Sequence, residues 1–526
     1  MSWIPPEQAL ATALERCTAI QLEAIRSTSR QLCIQAGAGS GKTRVLTLRI
    51  ARRVADEELD PTRGLVATFS RKAAEELRQR LFLLGVRDLQ AGTIHAIALR
   101  MLNDFRSDRR QRKVVLVPDR TRMISSVLET SSSSGMRPAA IEAEISWAKS
   151  RGLTPTSYLE AASFAGRKSP GPRQEIAETF LRYEQLRRQQ EKLDLDDLLL
   201  EATRLMSEDL SFREAMQWRY QHLSLDEAQD LNPAQRDLLL VLAGDDPDLT
   251  FVGDPNQSVY GWNGADPNLM ADLVDRYPKT QTVILLANHR STKRIVDVAN
   301  AALGAPGARS TAREGGTPPS VLSFPTEGDE ARGIALTILQ KKSKPETLNS
   351  TAVLARTNAQ LQAVADELDA VGVPYRFAGG DLAPGVDSRT TVNRSTPELE
   401  TDAPTGVVLA TFHRSKGLEW SSVFVIGVAE GIVPFSAAST HEELAEERRL
   451  LYVALTRATD TLTISWSERR SNAGRAEGRR RGPSPWLATI EQELARQARA
   501  EMPLEGEERQ RQLDRLRKIA SDALND

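Results

Sequence analysis

The chain has 526 residues, 40% hydrophobic and 27% charged, which is too long for one hydrophobic core and excludes collagen-like, wholly disordered and integral-membrane classes. Lys+Arg number 69 against 71 Asp+Glu, a formal net charge of -2, so nothing global marks a nucleic-acid binder, although a local basic groove is compatible with that sum. Two cysteines, Cys17 and Cys33, exclude a disulfide framework and a four-cysteine metal cluster, and the N-terminus lacks a secretory signal's basic start and apolar block, so a cytoplasmic protein without membrane attachment is expected.

Residues 30–100 and 220–300 alternate short apolar runs with helical stretches, the pattern of a parallel sheet covered by helices. Leu32-Cys33-Ile34-Gln35 predicts a strand, followed by Ala36-Gly37-Ala38-Gly39-Ser40-Gly41-Lys42-Thr43 and a helical run over 44–54. Strand, glycine loop and helix in this order form a phosphate cradle: backbone N–H groups close around the phosphates, Lys42 reaches the β/γ-phosphates, and the Thr43 hydroxyl reaches Mg2+. Ala36 stands where the strict pattern wants glycine; it keeps the loop small but gives up backbone freedom.

From about residue 103 to 197 the pattern turns to Arg- and Glu-rich helices, with a serine loop at 131–134 and a Gly/Pro-rich break at 169–172, which predicts an inserted helical subdomain. His222-Leu223-Ser224-Leu225 then predicts a strand that ends in Asp226-Glu227. Asp226 is placed to hold Mg2+ through its water shell, and Glu227 to orient or deprotonate an attacking water.

A second α/β region begins near Thr282, with strands predicted over 283–286, 321–324, 352–354, 407–410, 423–428 and 462–465. Residues 379–405 are rich in Gly, Pro, Asp, Ser and Thr, without apolar periodicity, and read as a loop. After Trp466 comes a basic segment containing Arg469, Arg470, Arg475, Arg479, Arg480 and Arg481, then a charged, helix-like tail from about residue 485.

With Asp226-Glu227-Ala228-Gln229-Asp230 in place, the chain resembles superfamily 1 helicases of the UvrD/Rep/PcrA family, most of all actinobacterial members. Further motifs agree in order: Ala67-Thr68-Phe69-Ser70-Arg71-Lys72, Thr93-Ile94-His95, Leu193-Asp194-Leu195-Asp196-Asp197-Leu198, Val252-Gly253-Asp254-Pro255-Asn256-Gln257-Ser258-Val259-Tyr260-Gly261-Trp262, Asn288-His289-Arg290-Ser291, Thr411-Phe412-His413-Arg414-Ser415-Lys416-Gly417-Leu418-Glu419-Trp420 and Glu447-Arg448-Arg449-Leu450-Leu451-Tyr452-Val453-Ala454-Leu455-Thr456-Arg457-Ala458.

The resemblance implies an α/β fold of two RecA-like P-loop domains with parallel sheets, plus a helical insertion in the first. It assigns 1–104 and 198–280 to the first RecA-like domain (1A), 105–197 to the insertion (1B), and 281–378 with 405–468 to the second RecA-like domain (2A). Residues 379–404 become a short loop replacing the family's 2B domain, and 469–526 a basic linker with a charged helical tail. The cofactors implied are ATP and Mg2+. Gln21 corresponds to the adenine-reading glutamine, His289 to the tyrosine that stacks on adenine, and Arg44 and Glu419 join the nucleotide contacts. Gln257 corresponds to the γ-phosphate sensor, and Arg290 and Arg457 to arginine fingers. Phe69, His95, Tyr260, Trp262, Thr411 and His413 correspond to strand contacts, and Asn263 stands where the family has arginine.

The activity implied is that of an ATP-dependent single-stranded-DNA translocase and 3'-to-5' helicase in DNA repair or recombination, acting on single strands and single-strand/duplex junctions. The alternative is the helicase subunit of a multi-protein nuclease or antiphage-defence complex, weakly unwinding alone and relying on a protein partner to replace the missing 2B function.

Overall fold

In the computed structural model, the structure describes residues 5–129, 135–261, 264–304, 310–340, 348–378, 406–469 and 480–501. The chain divides into two compact units, one of Met1–Arg290, Arg309–Ala312 and His441–Leu450, the other of Ser291–Ala308, Arg313–Thr440 and Leu451–Asp526.

In the first unit a six-stranded sheet has the spatial order Gln90–Thr93, Gly64–Thr68, His222–Leu225, Asp248–Gly253, Gln31–Ala36, Gln281–Leu285, and every pairing in it is parallel. Helices cover both faces, so the central strands Gly64–Thr68 and Asp248–Gly253 are buried throughout, as strands of an all-parallel sheet are. One layer buries Cys33, Leu65, Ile97, Leu199, Leu223 and Phe251, the other Leu32, Ile34, Val45, Leu46, Ile50 and Val252. Because all six strands run the same way, their carboxyl ends share one edge, and the segments that follow them converge there.

The strand predicted over 283–286 as the start of the second α/β region spans Gln281–Leu285 and pairs with Gln31–Ala36 in the first sheet. Its burial alternates, with Val283 and Leu285 inward and Ile284 exposed, as expected of an edge strand; an apolar run does not specify which sheet will take it.

The segment between the strands Gln90–Thr93 and His222–Leu225 is helical, with Arg120–Glu129, Pro138–Lys149, Pro155–Phe164 and Arg173–Gln189 packed on a core of their own that includes Ile141, Ile145, Tyr158, Ile176, Phe180 and Tyr183. Lys149, at the end of Pro138–Lys149, is buried with its Nζ 2.9, 2.7 and 2.5 Å from carboxylate oxygens of Glu184, Asp194 and Asp197. Asp194 also caps the returning helix Leu195–Glu208 in a reciprocal box with Asp197. The motif Asp194-Leu195-Asp196-Asp197 therefore fastens the insertion to the helix that carries the chain back to the sheet.

The second unit holds another six-stranded parallel sheet, in the order Ser320–Thr326, Ala458–Arg469, Trp420–Val425, Thr351–Ala355, Val407–Thr411, Tyr375–Phe377. The last of these is too short to leave a pattern in the sequence. The helix Leu487–Glu501, expected as part of a charged tail, buries Leu487 and Ile490 completely. It is also tied to the helix Lys293–Leu303 through Arg496 to Asp297 and Gln497 to the Arg294 carbonyl. Residues 379–404, 470–479 and 502–526 lie outside the described residues, as do Trp262 and Asn263. Among the described residues no helix is long and apolar enough to cross a membrane.

Candidate functional site

The glycine loop leaves the carboxyl end of Gln31–Ala36 and enters the helix Lys42–Ala55. Gly39 and Gly41 have φ of +69° and +85°, conformations that disfavour side chains. A Cβ on Gly39 would also fall 2.7 Å from Arg290 Cβ and 2.8 Å from the Asn288 amide. Gly41 is the N-cap of the helix and offers no side-chain acceptor to its first amides, so these N–H groups and the positive end of the helix face the loop. The loop is held from outside: Gln21 Nε2 donates to Ser40 O at 2.9 Å, Asn288 Nδ2 to Ala38 O at 2.7 Å, and His289 N–H to Gly39 O at 2.8 Å.

Asp226 ends the strand two places away in the sheet, anchored by its own N–H to Ala67 O at 2.9 Å. Thr43 Oγ1 donates to Asp226 Oδ2 at 3.1 Å, and Lys42 Nζ lies 4.0 Å from Glu227 Oε1. Burial and then the neighbouring Glu227 carboxylate push Asp226 up to about 7, against the pull of Lys42 and Thr43. A half-buried hydroxyl and a buried carboxylate this close, with cationic charge needed beside them, form the hard-oxygen donor set that suits Mg2+. Glu227 has φ +55°, a left-handed conformation uncommon for a residue with a side chain.

From Glu227 a polar chain continues. Gln229 Nε2 donates to Glu227 Oε2 at 2.5 Å and its Oε1 accepts from Asp254 N–H at 3.0 Å, while Gln257 Nε2 donates to Asp254 Oδ2 at 2.7 Å. Gln229 and Asp254 are fully buried. Both lay inside motifs noted in the sequence without a role of their own, as did Asn288, which also accepts from Arg290 N–H at 2.8 Å. The signal available for them was a polar residue just beyond a predicted strand, inside a motif.

His289 is displaced downward in pKa by burial and by the charge of Arg44. Arg44 itself donates to Ala13 O at 2.9 Å. At the same sheet edge the rings of Phe69 and Tyr260 stack at 4.8 Å and 16°; Phe69 is exposed and Tyr260 half-buried. His95 begins the helix Ile94–Asp108 and is driven toward its neutral form by burial, with Asp196 pulling the other way.

The remaining expected site residues belong to the second unit. Thr411 ends the strand Val407–Thr411, followed by His413, whose pKa burial and then Arg356 and Lys416 lower to about 4. Glu419 is exposed. Arg457 follows the helix His441–Leu455 and is buried, its guanidinium donating to the carbonyls of Val453 and Leu418 at 2.9 and 3.1 Å.

Residues 17–278 match the family model of the UvrD/REP helicase N-terminal domain, and residues 283–381 and 388–469 match that of the UvrD-like helicase C-terminal domain. The chain is 31% identical to the protein named ATP-dependent DNA helicase UvrD2 of Mycobacterium tuberculosis, over 89% of this chain and 81% of that one. It is 34% identical to ATP-dependent DNA helicase PcrA of Leuconostoc citreum, over 68% of this chain and 49% of that one.

Proposed function

We propose, on the premise that this chain belongs to the UvrD/REP helicase family, that it is an ATP-dependent DNA helicase that hydrolyses ATP to move along single-stranded DNA. The observation that carries this reading is the continuous polar path from the glycine loop to Gln257, running through Thr43–Asp226, Lys42–Glu227, Glu227–Gln229, Gln229–Asp254 and Asp254–Gln257.

In this reading the loop amides and Lys42 hold the ATP phosphates, and Gln21, Arg44 and His289 contact the base. Thr43 and Asp226 would hold Mg2+, which supplies charge neutralisation at the β- and γ-phosphate oxygens when bound. Glu227 orients the attacking water and takes its proton, and the amide of Gln229 on one carboxylate oxygen fixes which face is offered. Gln257 is placed to respond to loss of the γ-phosphate and, three residues before Tyr260, to pass that change to the aromatic pair that grips bases. Arg290 and Arg457 are the proposed sources of compensating positive charge in the transition state.

The 3'-to-5' polarity, a role in repair or recombination, and action at single-strand/duplex junctions are carried from the family resemblance and belong to the same proposal. The deciding experiment is ATP turnover by the purified protein with and without a single-stranded oligonucleotide, paired with unwinding of a duplex bearing a 3' single-stranded tail. Absence of strand-stimulated turnover would overturn the reading.

A further inference from the structure

Arg151 lies where the helical insertion meets Gly264. It comes two residues after the last residue of the helix Pro138–Lys149, and the intervening Ser150 accepts Ala234 N–H at its carbonyl, 2.9 Å away. A Cβ built on Gly264 would fall 2.9 Å from Arg151 Nη1 and 2.5 Å from Ser150 Oγ, and Gly264 has φ +94°. The chain thus uses a residue without a side chain at the point where the guanidinium arrives. On its other side the guanidinium carbon lies 4.7 Å from the centroid of the Trp147 ring, and Nη1 is 3.5 Å from Trp147 O. Indole and glycine together fix the arginine's place.

Arg167 lies over the same indole at 4.7 Å, but its Nε donates to both oxygens of Glu144, at 2.9 and 3.1 Å. Arg151 differs. Among the described residues no carboxylate approaches its nitrogens within 4.0 Å. Burial, then the like charge of Arg167, weaken its hold on the proton, and Asp266 acts on it only from beyond ion-pair distance. A half-buried cation with a second cation nearby and no carboxylate in ion-pair contact gains free energy from an anion supplied from outside. Next to Gly264, Ala265 N–H donates to the carbonyl of Tyr260 at 3.1 Å, and the Tyr260 ring stacks on Phe69; bases laid on aromatic faces bring their phosphates to the same surface.

We infer that Arg151 is a phosphate contact for the bound single strand, contributed by the helical insertion beside Gly264. The inference rests on the strand-binding reading above. Its chemistry is that of a phosphodiester, so the contact adds affinity without regard to base sequence.

The test is equilibrium binding of fluorescent oligo-dT and oligo-dA to the full chain over a range of salt concentrations. Arg151→Gln should weaken both roughly tenfold at low salt, the effect of losing one charge-assisted contact, and reduce the slope of log affinity against log salt by about 0.7. Arg151→Lys should keep the slope. A second measurement needs no variant: in the wild-type protein, saturating oligo-dT should protect Arg151 from an arginine-specific dicarbonyl reagent, read by peptide mass. If the wild type binds and Phe69→Ala weakens that binding, yet Arg151→Gln keeps the wild-type slope or Arg151 is modified equally with and without the strand, the inference alone is overturned. If the wild type binds neither oligonucleotide, the strand-binding reading falls and takes the inference with it.

Discussion

Thr43 Oγ1 donates to Asp226 Oδ2 at 3.1 Å, joining residues 183 positions apart. One sits at the first turn of the helix after the glycine loop and the other at the end of a strand two places away. That contact exists because both strands run parallel and release their following residues at one edge. With Thr43→Val the hydroxyl is lost while shape is kept. Turnover at limiting Mg2+ should fall by about 10–100-fold, and titration of Mg2+ against ATP hydrolysis should recover part of the loss.

Glu227→Gln should bind ATP while turning it over about 10²–10⁴-fold more slowly, because the amide cannot take a proton from water. Nucleotide-binding titrations beside steady-state hydrolysis separate the two effects. Near-normal turnover would move the general base elsewhere.

Phe69 presents an exposed ring stacked on Tyr260 at 4.8 Å. Removal of a base-stacking face costs about 1–3 kcal/mol, so Phe69→Ala should weaken oligonucleotide binding by roughly 5–150-fold, measured by fluorescence anisotropy. Unchanged affinity would leave the aromatic pair as packing only.

Lys149 holds three buried carboxylates at 2.9, 2.7 and 2.5 Å. Lys149→Met leaves these charges facing one another, with the more peripheral Arg120, Arg187 and Arg188 left to balance them. The loss should be about 3–5 kcal/mol, measured by urea denaturation. A variant as stable as wild type would show that the carboxylates take up protons at little cost.

Asp248 lies at the start of its strand and accepts from Arg53 at 2.9 and 2.6 Å, with His222 Nδ1 at 2.7 Å. Burial alone would raise its pKa, but the His222 and Arg53 contacts outweigh it and hold the carboxyl at about 2. Against an unfolded value near 3.9, this depressed group contributes about 2 kcal/mol that is fully present above about pH 4 and is lost as pH falls toward 2. Stability measured across that window should show this slope in the wild type and a shallower one in Asp248→Asn.

The segments expected to carry the chemistry were legible in the order of the amino acids. A loop that needs φ of +69° and +85° calls for glycine, a phosphate cradle calls for Lys42 at the start of a helix, and a carboxylate pair at a strand end has a narrow range of uses. Those demands act over a few residues and leave a local pattern. Only the tertiary structure decided that Gln281–Leu285 joins the first sheet, that Asn288 and Gln21 hold the loop carbonyls, that Gln229 and Asp254 link Glu227 to Gln257, that Lys149 meets three carboxylates, and that Leu487–Glu501 is docked rather than a free tail. Each of these depends on a partner tens to hundreds of positions away. Strand periodicity fixes which side chains face inward but not which strand lies alongside, and a buried polar group reveals its role only through the group that satisfies it.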